Sequence, residues 1–79
     1  MELSDLVARI EQVCEWPPGT LSPSTVIEEI PGWSSLAFLG LIAMVDDAYS
    51  ITLKPKQVLD SSTINDLFLV MRRSNESSK

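Results

Sequence analysis

Apolar residues recur at helical spacing from the first turn of the chain. Leu3, Leu6, Val7, Ile10, Val13 and Cys14 follow an i, i+3, i+4, i+7 rhythm, with Glu2, Asp5, Arg9, Glu11 and Gln12 between them. This pattern predicts an amphipathic first helix with one inward stripe and a charged outer face. The helix is expected to stop at Trp16, where Pro17 and Pro18 withdraw backbone donors and Gly19 frees the chain. A long connection from Pro17 to Trp33 follows, punctuated by Pro23 and by Pro31-Gly32, yet it carries the large apolar residues Leu21, Val26, Ile27 and Ile30. Such a segment is expected to lie across the helices and bury these side chains, with a short helical turn around Ser24 to Glu29.

The second helix is expected to begin at Ser34 or Ser35 and to run to Tyr49. Ser34 has the hydroxyl an N-cap needs. Trp33 and Phe38 then fall at N′ and N4, the spacing of a hydrophobic staple. The segment is apolar nearly all round until side-chain size is considered. Phe38, Leu41, Ile42, Val45 and Tyr49 form a bulky stripe assigned to the core, while Leu36, Leu39, Gly40, Ala43 and Asp47 form the outward one.

Beyond Tyr49, Ser50-Ile51-Thr52-Leu53 alternates but is too short to build a sheet. Pro55 opens a short third helix through Leu59, with Leu59 assigned to the core beside Ile51 and Ile64. Ser61 or Ser62 is expected to cap a last helix whose core stripe is Ile64, Leu67, Phe68 and Met71. Arg72 and Arg73 are placed at its C-terminal end, where positive charge complements the helix dipole. The whole predicts an all-α fold, a small four-helix bundle of three main helices and a short third one with a long first loop. It reads as a single domain over residues 1–79, with a helical core over about 2–73 and a flexible polar tail over 74–79.

Composition narrows the function classes. With 79 residues the chain has room for one small core, whose net stability is about 3–5 kcal/mol. Eleven acids against six bases give a formal charge of −5. That field disfavours nucleic acid and anionic lipid and steers the protein toward basic surfaces. The lone Cys14 rules out an internal disulfide and suits a reducing compartment. No secretory leader or membrane-spanning run is legible, so a cytoplasmic monomer is expected.

Chemistry is equally constrained. The chain has no histidine and one thiol, which removes Ser-His and Cys-His nucleophile systems and the usual metal-ligand sets. The adjacent pairs Glu28-Glu29 and Asp46-Asp47 read as solvated faces rather than as acid–base machinery. Cys14 reads as a small apolar filler and Trp16 as closing the first helix. The expectation is therefore not an enzyme.

One segment stands out. Gly32-Trp33-Ser34-Ser35-Leu36, followed by Leu39, Ile42, Asp46-Asp47, Tyr49, Ile51 and Leu53, resembles the signature of acyl and peptidyl carrier proteins. Leu59, Thr63-Ile64 and Asp66-Leu67 resemble that family's third-helix end and fourth-helix opening. The similarity covers nearly the whole chain, and its specificity lies in the spacing of these landmarks rather than in the Ser-Leu pair.

The resemblance implies covalent attachment of 4′-phosphopantetheine from coenzyme A to Ser35, flanked by Ser34 and Trp33. It implies an arm whose thiol holds acyl groups as thioesters, for fatty-acid, lipid-related or secondary-metabolite acyl transfer. The implied partners are a phosphopantetheinyl transferase and acyl-loading and acyl-transfer enzymes with basic or apolar docking surfaces. They would meet Leu36, Leu39, Gly40, Ala43, Asp46 and Asp47. A phosphodiester at a helix N-terminus would meet free amides and the positive end of the dipole.

The chain departs from the family in two places. Ser34 stands where aspartate is usual, which keeps a cap and loses a charge that bears on transferase choice. The outer face of the second helix is short of acids, with Asp46 and Asp47 at its unfavourable negative end, at a cost of about 0.3–1 kcal/mol each. Two alternatives remain at this point: that Ser34-Ser35 only caps a helix, and that the protein is an unmodified helical interaction module.

Overall fold

The computed structural model describes residues 2–77. Four α-helices appear in chain order: α1 (Leu3–Val13), α2 (Ser35–Tyr49), α3 (Pro55–Asp60) and α4 (Ile64–Ser77). A 3-10 turn, Ile27–Glu29, interrupts the long connection within the segment expected to be helical. α1 packs on both α2 and α4, and α3 packs on α4. Among the described residues there is no β-strand, only an isolated antiparallel bridge between Val26 and Thr63. The architecture is the expected small all-α bundle.

The core draws on every helix and on the loop. Leu6 and Ile10 of α1, Leu41 and Val45 of α2, Val58 of α3, and Ile64, Leu67 and Met71 of α4 are buried around Ile27. Ile51 and Leu53 are buried while Thr52 between them is exposed, so the alternating segment lays one edge on the core as an extended strap. Phe38, Ile42 and Tyr49 complete the bulky stripe of α2 as partly buried neighbours.

α1 ends at Val13, earlier than the prolines require. The Trp16 amide donates to the Glu11 carbonyl (2.8 Å) and the Glu15 amide to the Gln12 carbonyl (3.2 Å). Glu15 between them takes φ +60. These are the two crossed bonds of a Schellman motif, so backbone geometry closes the helix before Pro17 is reached. The Trp16 indole then donates to the Pro31 carbonyl (3.0 Å) and ties the end of α1 to the end of the loop.

Glu11 also differs from its expected place on the charged outer face. It is 4% exposed. Its carboxylate accepts a hydrogen bond from the buried Leu21 amide (2.9 Å), so a charged side chain serves as a backbone acceptor for the loop.

The loop in turn caps α4. The amides of Ile64 and Asn65, orphans of the helix start, donate to the carbonyls of Thr25 (3.1 Å) and Pro23 (2.9 Å). Thr63, not Ser61 or Ser62, is the cap. Its hydroxyl accepts from the Asp66 amide while the Asp66 carboxylate accepts from the Thr63 amide, both at 3.1 Å, a reciprocal capping box. Ser61 is buried instead and donates to the Gln57 carbonyl (2.8 Å).

α4 continues to Ser77, past the expected end of the helical core at residue 73. Arg72 and Arg73 therefore precede its last turn, which holds no basic residue, and the proposed dipole pairing is lost. The Arg72 guanidinium lies over the Phe68 ring at 5.9 Å. Of the expected tail, residues 78–79 lie outside the described residues.

Candidate functional site: the N-terminus of α2

The approach to α2 is a tight turn. Pro31 and Gly32 occupy its centre, Gly32 has φ +81, and the Trp33 amide donates to the Ile30 carbonyl (2.9 Å). Proline at the second position and a positive-φ glycine at the third are the requirements of a type II turn. With Ile30 buried at one end of this turn, the position of Trp33 and Ser34 is set by the core.

Ser34 is extended (φ −150, ψ 175), and its hydroxyl accepts from the Ala37 amide at 3.3 Å. Its carbonyl accepts from the Phe38 amide at 2.9 Å. It is the helix cap that was expected. Ser35 is the first helical residue, and its side chain is exposed. Among the described residues the amides of Ser35 and Leu36 have no internal acceptor, and the first turn of α2 carries no acidic side chain. An accessible hydroxyl therefore stands beside two open amides at the positive end of a fifteen-residue helix. That arrangement favours a covalently held phosphodiester and would do nothing for a cation.

Trp33, Ser34, Ser35 and Phe38 line a hollow of about 380 Å3. Its remaining wall is Leu59, 63% exposed, which sequence reasoning had placed in the core. Val58 takes the core position instead. In a helix as short as α3 only one of two adjacent apolar residues turns inward. A proline start and a Val-Leu pair signal the helix without saying which one does.

The outward residues of α2 divide. Leu36, Leu39, Ala43, Asp46 and Asp47 are exposed, as expected. Gly40 does not belong with them. A Cβ on Gly40 would sit 3.2 Å from the Val13 side chain, so its missing side chain admits α1 rather than an outside partner. Gly40, Ser34 and Leu36 line a second hollow, of about 280 Å3, with Val13, Cys14 and Glu15. Burial pushes the Cys14 thiol up from its ordinary pKa, which keeps it protonated and a poor nucleophile. Asp46 lies 3.5 Å from the Thr52 hydroxyl, and its carbonyl accepts from the Ser50 amide at 3.0 Å, so its surroundings are those of the turn ending α2.

At that same end of α2, the Tyr49 hydroxyl donates to the Asp5 carboxylate, to which Arg9 also donates at 2.9 Å. The Arg9 guanidinium lies 5.5 Å from the Tyr49 ring centre. Burial, then the bond to Asp5, pushes the Tyr49 pKa to about 12. The Tyr49 and Arg9 bonds hold the Asp5 carboxyl below its usual range. This clasp joins the start of α1 to the end of α2, far from Ser35.

The family model of the phosphopantetheine attachment site matches residues 4–68. The chain belongs to that family. Comparisons with curated proteins and with solved structures return no significant match. A carrier domain of this family holds 4′-phosphopantetheine covalently and works with a phosphopantetheinyl transferase and acyl-handling enzymes. The donor set at the start of α2 fits such a group: an exposed hydroxyl, open amides and a first helical turn that carries no carboxylate. Among the described residues, no helix is long and apolar enough to cross a membrane.

Proposed function

We propose that Ser35 is the residue that receives the arm and that this carrier domain transports acyl groups without catalysing their chemistry. The observation that carries the assignment is the position of the Ser35 hydroxyl, exposed at the first residue of α2 beside the unpaired amides of Ser35 and Leu36. Ser34 is unsuited to the role because its hydroxyl is already engaged as the cap.

In the loading step the Ser35 oxygen attacks the β-phosphorus of coenzyme A. The bond to the 3′,5′-ADP leaving group breaks, and the serine proton passes to a base on the transferase. The new phosphodiester keeps its negative charge at the amide end of α2, where the dipole favours it by about 0.3–1 kcal/mol. When bound, the arm supplies a thiol that holds an acyl group as a thioester.

Lipid-related or secondary-metabolite acyl units are the proposed cargo, and a specialised pathway is the proposed setting. The near absence of acids on the outer face of α2 supports a dedicated partner rather than a general basic one. The absence of histidine supports a carrier rather than a catalyst, and the single, half-buried thiol supports a reducing, cytoplasmic compartment and a monomeric state.

The test is intact mass after incubation with coenzyme A, magnesium and a broad-specificity phosphopantetheinyl transferase. The expected result is a gain of one phosphopantetheine on the wild-type chain and none on Ser35→Ala. A gain on Ser35→Ala would move the attachment elsewhere. No gain on either, in the reaction and on protein isolated from its native cell, would leave an unmodified helical module.

A further inference from the structure

A third hollow, of about 540 Å3, lies between α1 and the long loop. It shares no lining residue with the two beside Ser35. Leu3, Val7 and Ala8 of α1 form one wall and Leu21 and Pro23 of the loop form the other, with Glu11 the one charged residue among them. The loop wall is tied down at two points. The Leu21 amide donates to the Glu11 carboxylate (2.9 Å), and the Pro23 carbonyl accepts from the Asn65 amide (2.9 Å). The volume falls within the range of about 300–1,000 Å3 of small-molecule sites, which are apolar with a few placed polar groups.

Glu11 is the polar group of this site. It is 4% exposed, and a glutamate is almost never so buried without an ionic partner. Among the described residues the one ion pair joins Arg9 to Asp5, so no cation meets Glu11. The bond to Leu21 occupies Oε2 alone. No side-chain oxygen or nitrogen among the described residues is both sealed from solvent and without a hydrogen bond. Oε1, which has no partner among those residues, is therefore reached from outside, through the hollow that Glu11 lines. Holding the loop takes one oxygen of the carboxylate and leaves the other oxygen and the charge unmatched.

We propose that the hollow between α1 and the loop binds a small amphiphilic primary amine, with its ammonium on Glu11 Oε1 and its alkyl chain along the apolar walls. Charge complementarity selects a cation, because a buried carboxylate gains most from a donor that also carries positive charge. Its open side selects an ammonium over a guanidinium. The planar fork of a guanidinium is matched by two carboxylate oxygens, and here Oε2 is taken, whereas an ammonium is a point charge that one oxygen satisfies. Leu3 and Glu11 are about 12 Å apart along α1 at 1.5 Å per residue, so the groove suits an extended chain with its charge at one end. The concave, tethered walls suit a free molecule rather than a flat protein contact. The site is separate from Ser35 and does not depend on the arm.

The experiment titrates the full-length chain, without the arm, with octylammonium, octanol and octanoate, following backbone amides by two-dimensional NMR at about neutral pH. Octylammonium is expected to shift the amides of Ala8, Gly19 and Leu21 saturably, leave those of Ser35 and Leu59 unmoved, and bind at least about tenfold tighter than octanol or octanoate. Glu11→Gln keeps an acceptor for Leu21 and removes the charge. It should weaken octylammonium at least about tenfold and change octanol by less than about threefold. Ala8→Trp fills the hollow from its exposed rim without touching the Glu11–Leu21 bond, and should abolish binding of all three probes with unchanged far-UV circular dichroism.

Octanol or octanoate binding as tightly as octylammonium would overturn the proposal, as would full affinity in Glu11→Gln or Ala8→Trp. So would shifts centred on Trp33 and Ser35, or no saturable binding below about 10 mM octylammonium. Because every titration is made without the arm, these results leave the assignment of Ser35 untouched, and the failure of that assignment would leave this site standing.

Discussion

Replacing Glu11 tests whether one buried carboxylate holds the long loop on the bundle. In Glu11→Ala the Leu21 amide, on a residue only 8% exposed, loses its acceptor at 2.9 Å. Leaving a buried donor unpaired costs about 1–3 kcal/mol. Removing the side-chain stem forfeits roughly another 1 kcal/mol of packing, at about 0.8 kcal/mol for each buried methylene. The expected loss is therefore about 2–4 kcal/mol, a large share of the roughly 3–5 kcal/mol available to a domain of this size.

For a domain of 60–100 residues each kcal/mol moves Tm by about 4–8 °C, so Tm should fall by roughly 8–32 °C. Glu11→Gln keeps the stem and offers an amide oxygen in the same place, so its loss should stay near 1 kcal/mol. Urea unfolding followed by circular dichroism gives both values, and amide exchange at Leu21 reports the local opening. The account is refuted if Glu11→Ala unfolds within about 0.5 kcal/mol of wild type, or if Glu11→Gln loses as much as Glu11→Ala.

Two further outcomes follow from the ends of α2. Ser34→Ala should lose about 0.5–1 kcal/mol, the lower part of the range for a lost cap because the bond to Ala37 is long at 3.3 Å, while Ser34→Asp should be at least as stable as wild type in urea. Tyr49 is the chain's one tyrosine, so tyrosinate absorbance titrates it alone, and it should ionise at about 12 in the wild type and lower in Asp5→Asn. Because its folded pKa lies above the ordinary 10.0, its contribution to stability is complete below that pH and is lost as pH rises toward 12; Tyr49→Phe should lack this alkaline loss. At the acid end the sign is opposite: the lowered Asp5 pKa contributes stability above the usual carboxylate range that is lost as pH falls.

The sequence by itself determined what depends on neighbours a few residues apart. The stripe of α1, the turn at Pro31-Gly32, the Ser34 cap and the exposed Ser35 that follows it are all set by i to i+4 relations, which chain order fixes before any helix packs. The end of α1 escaped because its stop signal is no proline or glycine but Glu15, held left-handed by bonds that only the closed backbone makes.

The tertiary structure decided everything that turns on which side of an element meets another. Whether Val58 or Leu59 faces inward is set by how α3 lies on α4, and the answer moves a leucine from the core to the serine's side. Gly40 reads as an open surface until Val13 of α1 is seen against it. Glu11 carries a charge that belongs outside by composition. It is buried because Leu21, brought back across α1 by the loop, has an amide that no backbone carbonyl reaches. Periodicity names the residues able to take either side. Satisfying each buried polar group and excluding water from the largest apolar area chooses between them, and those requirements act between segments far apart in the chain.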